Sequence, residues 1–284
     1  MPAEPPVESP KTLDEALAML SSGQAWQPIA GGTDLLVQIT GELGPPPARV
    51  LDIWRLDELR GISVEDDRLV LGALTTYTDI RRSAVCAEHL PALVEAAATI
   101  GAAQIQNRGT LGGNIANASP AGDTLPVLLA TDGVMVLGSS GAEREVPAAD
   151  FWPAYRQTAR RPDELVLRVA IPLPAGRQVR FRKVGTRRAQ AISKVVMALA
   201  WREDGGVWRD VRLALGSVAA TPARARETER VLEGAAPRRE TADHAAATLA
   251  SEIQPIDDVR STADYRRAVT SRVLHRMLRD EGGW

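Results

Sequence analysis

The sequence holds a single cysteine, Cys86, among 284 residues. An intrachain disulfide is therefore excluded, and so is an iron–sulfur cluster held by this chain alone, because such clusters take several thiolates. Histidine is nearly as scarce: His89, His244 and His275 are scattered without metal-ligand spacing. Neither sign of charge prevails. With 34 Lys and Arg against 36 Asp and Glu, the formal charge of −2 gives no basic excess on which nucleic-acid binding could rest. No apolar run approaches a membrane span. The proline-rich start from Pro2 to Pro10 lacks a signal peptide's apolar stretch, so the cytoplasm is the expected location. There is no internal repeat, and the length suits a large core divided into two domains.

Two other absences narrow the chemistry. The Gly-x-Gly-x-x-Gly fingerprint is missing, which argues against a Rossmann dinucleotide site. The Gly-Lys-Ser/Thr ending of a phosphate-binding NTPase loop is missing too. What the chain does have is two glycine-centred segments about eighty residues apart. The first is Ala30-Gly31-Gly32-Thr33-Asp34-Leu35-Leu36. The second is Thr110-Leu111-Gly112-Gly113-Asn114, running on to Ser119-Pro120-Ala121-Gly122-Asp123. Paired glycines carry no side-chain bulk and permit positive φ, so several backbone N–H groups can converge on one anion. Thr33, Thr110, Asn114 and Ser119 add hydroxyl and amide groups beside them. A dinucleotide pyrophosphate presents two adjacent anions and calls for such donors from both sides, so the pair of segments suggests a nucleotide cofactor clamped between two parts of the chain.

The pattern around these segments is mixed. Thr12-Leu13-Asp14-Glu15 reads as a capping box opening a helix that stops near Gly23. Residues 27–30 read as a strand delivering the first glycine segment, 34–39 as a short helix and 49–53 as another strand. A hairpin over 61–72 turns at Asp66-Asp67. Helices follow over 90–100 and 124–130, the latter with Asp123 as N-cap, and strands over 133–137 and 164–171 complete a sheet. Pro172-Leu173-Pro174-Ala175-Gly176 interrupts the pattern. Beyond it, 179–184, 194–202 and 207–216 read as an antiparallel meander, followed by helices over 222–232, 241–253 and 262–278.

Six ordered stretches together resemble one family. They are Ile29 to Leu36; Gln104-Ile105-Gln106-Asn107-Arg108-Gly109 leading into the second glycine segment; Phe151-Trp152-Pro153-Ala154-Tyr155-Arg156; Pro162-Asp163-Glu164-Leu165; Phe181-Arg182-Lys183-Val184-Gly185 with Arg187 and Ile192; and Leu213-Ala214-Leu215-Gly216. From about Leu13 to Met277 the chain is similar to the FAD-binding medium subunit of molybdenum hydroxylases, the family of xanthine dehydrogenase and carbon monoxide dehydrogenase.

The resemblance implies an α+β fold: a two-part FAD-binding domain of the PCMH/vanillyl-alcohol-oxidase-like type over 1–175 (parts 1–58 and 59–175), then a small domain over 176–284 with a three-stranded antiparallel sheet and three helices. It implies that Pro28, Ile29, Ala30, Gly31, Gly32, Thr33, Asp34 and Leu35, with Thr110, Leu111, Gly112, Gly113 and Asn114, hold FAD, and that Ser119, Asp123, Leu165, Val166 and Lys183 belong to the same site. An ammonium at Lys183 near the flavin's pyrimidine end would stabilise negative charge on the reduced ring. Gln190 stands where xanthine dehydrogenase relatives carry an acidic residue beside the flavin. No residue is expected to act as a catalytic acid or base, and none as a metal ligand. A large molybdopterin subunit and a small subunit with two [2Fe-2S] clusters are the implied partners, in a dimer of heterotrimers, with FAD passing electrons to NAD, a quinone or oxygen. A free-standing FAD oxidoreductase of the same fold, or an assembly subunit that has lost FAD, are the competing readings.

Overall fold

The computed structural model describes residues 5–41, 44–187 and 190–284; Pro2, at the head of the proline-rich start, lies outside them. Strand β1 (Val7–Glu8) leads to helix α1 (Leu13–Leu20). Thr12 Oγ1 accepts from the Glu15 N–H at 3.2 Å, as a cap should, but the return bond is displaced by one residue: the Glu15 carboxylate accepts from the Lys11 N–H at 2.7 Å. Strand β2 (Trp26–Ile29), helix α2 (Leu35–Thr40) and strand β3 (Arg49–Asp52) complete a small α/β unit. Its three strands run parallel in the order β1-β3-β2. Ala16, Leu17 and Leu20 of α1 fall on one face and pack with Leu51, Ile53, Leu56 and Leu59. Helix α2, by contrast, buries none of its residues.

The hairpin turns where expected. Strands β4 (Ile62–Glu65) and β5 (Arg68–Gly72) flank Asp66 and Asp67, at φ +45° and +60°, the left-handed pair that matches the twist of a tight hairpin. Helices α3 (Tyr77–Arg82), α4 (Ala84–His89), α5 (Pro91–Ala98), α6 (Ala103–Arg108), α7 (Leu111–Asn117) and α8 (Leu125–Ala130) come next. Helices α3, α4 and α6, of six residues each, are too short to show a helical period in the sequence. Strands β6 (Val134–Ser139) and β7 (Ala142–Pro147), helix α9 (Ala148–Phe151) and strand β8 (Leu165–Pro172) close an antiparallel sheet in the order β4-β5-β8-β6-β7.

The last sheet is one strand larger than the meander expected. Strands β9 (Arg177–Val184), β10 (Val195–Asp204) and β11 (Val207–Gly216) are joined by a two-residue β12 (Ala223–Arg224), in the order β12-β11-β10-β9. Helices α10 (Arg226–Leu232), α11 (Arg239–Glu252) and α12 (Ala263–Gly282) follow. Strand β10 is buried on both faces. Val196, Ala198 and Ala200 join the core made with α5, α8 and the five-stranded sheet, while Val195, Met197, Leu199 and Trp201 join the core under α10–α12. The uninterrupted apolar run of β10 is the sequence trace of that double burial. Helix α8 is buried at every position as well, since it packs on β10 and β11 of the last sheet and against α5 and α9.

A connection over 152–164 joins α9 to β8. Glu164, nearly inaccessible at its base, accepts from Arg144 Nε at 2.6 Å, Arg144 Nη2 at 2.8 Å and the Arg161 N–H at 2.7 Å. The Arg144 hydrogen bonds hold the Glu164 carboxyl below the usual carboxylate range. A lowered carboxyl stabilises the folded state above the ordinary glutamate range and ceases to do so as pH falls through its own folded value. Glu164→Gln should therefore cost about 1–3 kcal/mol in urea melts near neutrality. The gap from the wild type should close on acidification through the folded value of that carboxyl, as melts at neutral and at acid pH would read. A gap that is the same at both pH values would show that the charge of Glu164 contributes nothing.

Candidate functional site

An open cavity of about 700 Å³ lies where the α/β unit meets the helical layer. Its wall includes Pro28, Ile29, Ala30, Gly31, Gly32, Thr33, Asp34 and Leu35 from the first glycine segment. The second contributes Thr110, Gly112, Gly113, Asn114 and Ser119, and the start of β8 contributes Leu165 and Val166. The two segments, remote in sequence, are thus brought to one space.

Close contact explains the first glycines. A Cβ at Gly31 would overlap the backbone carbonyl of Arg108, and Gly32 takes φ +74° with Leu36 crowding the place of its missing side chain. The chain leaves β2 here, Ile29 still accepting from the Ile53 N–H at 3.0 Å, and turns into α2. Among the described residues, no backbone N–H from Gly31 to Leu35 donates to a protein acceptor. Five consecutive donors without a protein acceptor beside a cavity are available to an anion, since backbone N–H groups rarely go unpaired without water or a ligand.

The second segment works differently from the expectation. It is the first turn of α7, and neither Gly112 nor Gly113 has positive φ. The backbone donors from Leu111 to Asn114 are already used: Leu111 N–H to Thr75 O at 2.9 Å, Gly112 N–H to Ala73 O at 2.8 Å, Gly113 N–H to Thr110 Oγ1 at 3.1 Å and Asn114 N–H to Thr110 O at 3.0 Å. Gly112 is small because Ala73 presses against it. These glycines therefore let backbones approach, and the donors on this side come from side chains. Asn114 gives its carbonyl oxygen to the Thr124 hydroxyl at 2.7 Å, which leaves its amide N–H groups for the cavity.

Three of the residues named from the sequence stand off the wall. Leu111 is fully buried in the main core. Asp123 and Lys183 are buried against each other, Nζ to Oδ2 at 2.6 Å. Asp123 does not cap α8, whose N-cap is Thr124 with no side-chain bond; its carboxylate is taken instead by Lys183, by the Ser193 hydroxyl and by Thr99 Oγ1 at 3.4 Å. Lys183 also donates to Thr99 O at 3.0 Å. Burial pushes the Asp123 carboxyl up, while the ammonium and the two hydroxyls act against that shift. Burial, then the charge of Asp123, raises the phenol of Tyr77 on the cavity wall. The pair thus ties β9 to the turn after α5 and to the loop before α8, one layer behind the wall.

Other wall residues carried little sequence signal. Asn117 accepts from Arg156 Nη1 at 2.9 Å, and Arg160 reaches the wall from the same 152–164 connection. Trp152 packs in the core behind the wall: its ring meets Phe151 edge-on at 5.4 Å and its indole donates to Ile115 O at 3.1 Å. Gln190 takes φ +52°, its carbonyl accepting from Arg187 Nε at 3.1 Å.

A cavity of this volume, glycines cleared of Cβ atoms and a run of unspent N–H groups fit a nucleotide cofactor of the size of a flavin dinucleotide. Residues 4–174 match the family described as the FAD binding domain in molybdopterin dehydrogenase, and residues 180–280 match the CO dehydrogenase flavoprotein C-terminal domain. The chain belongs to this family of molybdenum hydroxylase FAD-binding subunits and is an oxidoreductase subunit. It is 34% identical to the glyceraldehyde dehydrogenase medium chain of Sulfolobus acidocaldarius, over 91% of this chain and 92% of that one. It is 32% identical to the carbon monoxide dehydrogenase medium chain of Hydrogenophaga pseudoflava, over 95% and 94%. A solved structure of carbon monoxide dehydrogenase from that organism, lacking the Mo-pyranopterin moiety, superimposes with a TM-score of 0.92 at 32% identity, over 97% and 96%.

Gly31→Ala should weaken FAD binding by about tenfold or more, because the added methyl must displace the Arg108 carbonyl and with it the run of free donors. Flavin fluorescence titration measures this. Unchanged affinity would show that the close approach of the two segments does not shape the site.

Proposed function

We propose that this chain is the FAD-carrying electron-transfer subunit of a multi-subunit molybdenum hydroxylase. The observation that carries the reading is the run of unspent N–H groups from Gly31 to Leu35 on the wall of a cavity large enough for the dinucleotide. Those groups would hold the diphosphate; Thr33, Thr110, Asn114 and Ser119 would position the rest through hydroxyls and amides. Leu165 and Val166 would keep water from one side of the ring system. Asp123 and Lys183 would set the field behind it and hold the wall in place.

FAD, when bound, supplies a junction between one-electron iron–sulfur clusters and a two-electron acceptor. The chain's own residues bind, orient and shield it, and none is required as a catalytic acid or base. The clusters, two of the [2Fe-2S] type, would sit in a small partner subunit and the molybdopterin in a large one, in a dimer of heterotrimers in the cytoplasm. NAD, a quinone or oxygen would take the electrons. Substrate recognition then belongs to the large subunit. We place the domain boundary near residue 175, between the FAD-binding part and the sheet-and-helix part.

The competing reading, a free-standing FAD oxidoreductase, needs a substrate domain over the flavin. The last hundred or so residues are committed elsewhere, to β10, β11 and the helices that cover them. Purification through a tag on this chain, followed by a visible spectrum and metal analysis, separates the two. Flavin bands with iron, molybdenum and two further chains are expected. FAD without metals or co-purifying chains would move the protein to the free-standing class, and absence of flavin from every preparation would sink both.

A further inference from the structure

Few side chains on the cavity wall carry charge. Among the described residues they are Asp34, Arg156 and Arg160. Both arginines belong to the 152–164 connection that Glu164 anchors. Arg156 takes φ +53°, a backbone conformation that an L side chain adopts at a cost, and one that recurs where local strain serves a site. Its Nη1 donates to Asn117 Oδ1 at 2.9 Å, and Asn117 Nδ2 in turn lies 3.5 Å from Asp34 Oδ1, so a short polar chain links this guanidinium to the run of free donors. Arg160 is half-buried. Its Nη1 donates to the carbonyls of Arg161 at 3.0 Å and Glu164 at 2.7 Å, which fixes the plane of the group. Its Nε and Nη2 have no protein acceptor among the described residues.

We propose that Arg156 and Arg160 are the cationic half of the diphosphate site, complementing the neutral donors of Gly31 to Leu35; this rests on the FAD reading above. Charge balance gives the argument. Backbone N–H groups offer only partial positive charge, whereas a diphosphate brings two full negative charges to a wall that already holds Asp34. The wall contains no other cations among the described residues. Arg108 is close to Gly31, with Nε 3.4 Å from its carbonyl oxygen, but its guanidinium lies over the Trp54 ring at 3.7 Å and it is not among the residues that line the cavity. Burial pulls Arg160 below the usual arginine range, against the pull of Glu164 and Asp163, which is the cost of holding a cation in a poorly solvated place. A planar fork with donors already aligned suits phosphate oxygens.

The test uses the chain, with whatever partners it retains, stripped of flavin and titrated with FAD and with riboflavin, which lacks phosphate. Wild type, Arg156→Gln, Arg160→Gln and Arg160→Lys are compared at low and high salt. Arg160→Gln should weaken FAD by about tenfold or more, and Arg156→Gln by less because it is exposed. Riboflavin affinity should be unchanged, Arg160→Lys should recover part of the loss, and added salt should weaken the wild type more than either Gln variant. Wild-type FAD affinity in both Gln variants would overturn the arginine assignment and leave the FAD reading standing. Equal loss of FAD and riboflavin, unrescued by lysine, would also overturn it, since the arginines would then be only structural. A wild type that binds no FAD under any condition would end the reading on which the assignment rests.

Discussion

Everything in this molecule is arranged around a layer of short helices that has a sheet on either side. Helix α8 is apolar at every position because it has no solvent face, and the strand opposite it presents Val196, Ala198 and Ala200. Small side chains on β10 let the second sheet come close, and close packing is what such interiors reward. The larger residues of the same strand, Met197, Leu199 and Trp201, point the other way and fill the space under α10–α12. Two parts with separate chain segments therefore share one interior, and the cavity's geometry is inherited from that shared layer.

The cavity itself divides its tasks between backbone and side chain. In the first glycine segment the peptide N–H groups are unspent where Gly31 passes close to the Arg108 carbonyl and Gly32 turns with positive φ. In the second, the peptide groups are consumed in starting α7 and in stitching it to Ala73 and Thr75. Rigidity on one side and availability on the other suit a ligand that must be held in a fixed orientation.

Much of this was legible in the sequence, and the omissions have physical causes. The three long strands of the last sheet, the hairpin at Asp66-Asp67 and the helix after Thr12 announce themselves by run length, turn chemistry and caps. Two-residue strands such as β1 and β12 carry no period. The glycine pairs showed where the backbone must be thin, but composition cannot say whether the adjoining N–H groups are free or already bonded; that depends on Ala73 and Thr75, which are remote from Gly112 along the chain. Asp123 illustrates the same limit. Local preference reads it as a cap, while its partner Lys183 arrives from β9 and overrides the local reading. Arg160 gave no local signal at all, since only the fold carries its connection to the wall.

Helix α2 buries none of its residues, although it begins where the free donors end. Local opening is governed by the core that must be exposed with it, and here there is none to expose. Opening of α2 would therefore expose no buried side chain of its own. Admission of a bulky nucleotide would then draw on a segment that the core does not hold, apart from the packing that folds the sheets.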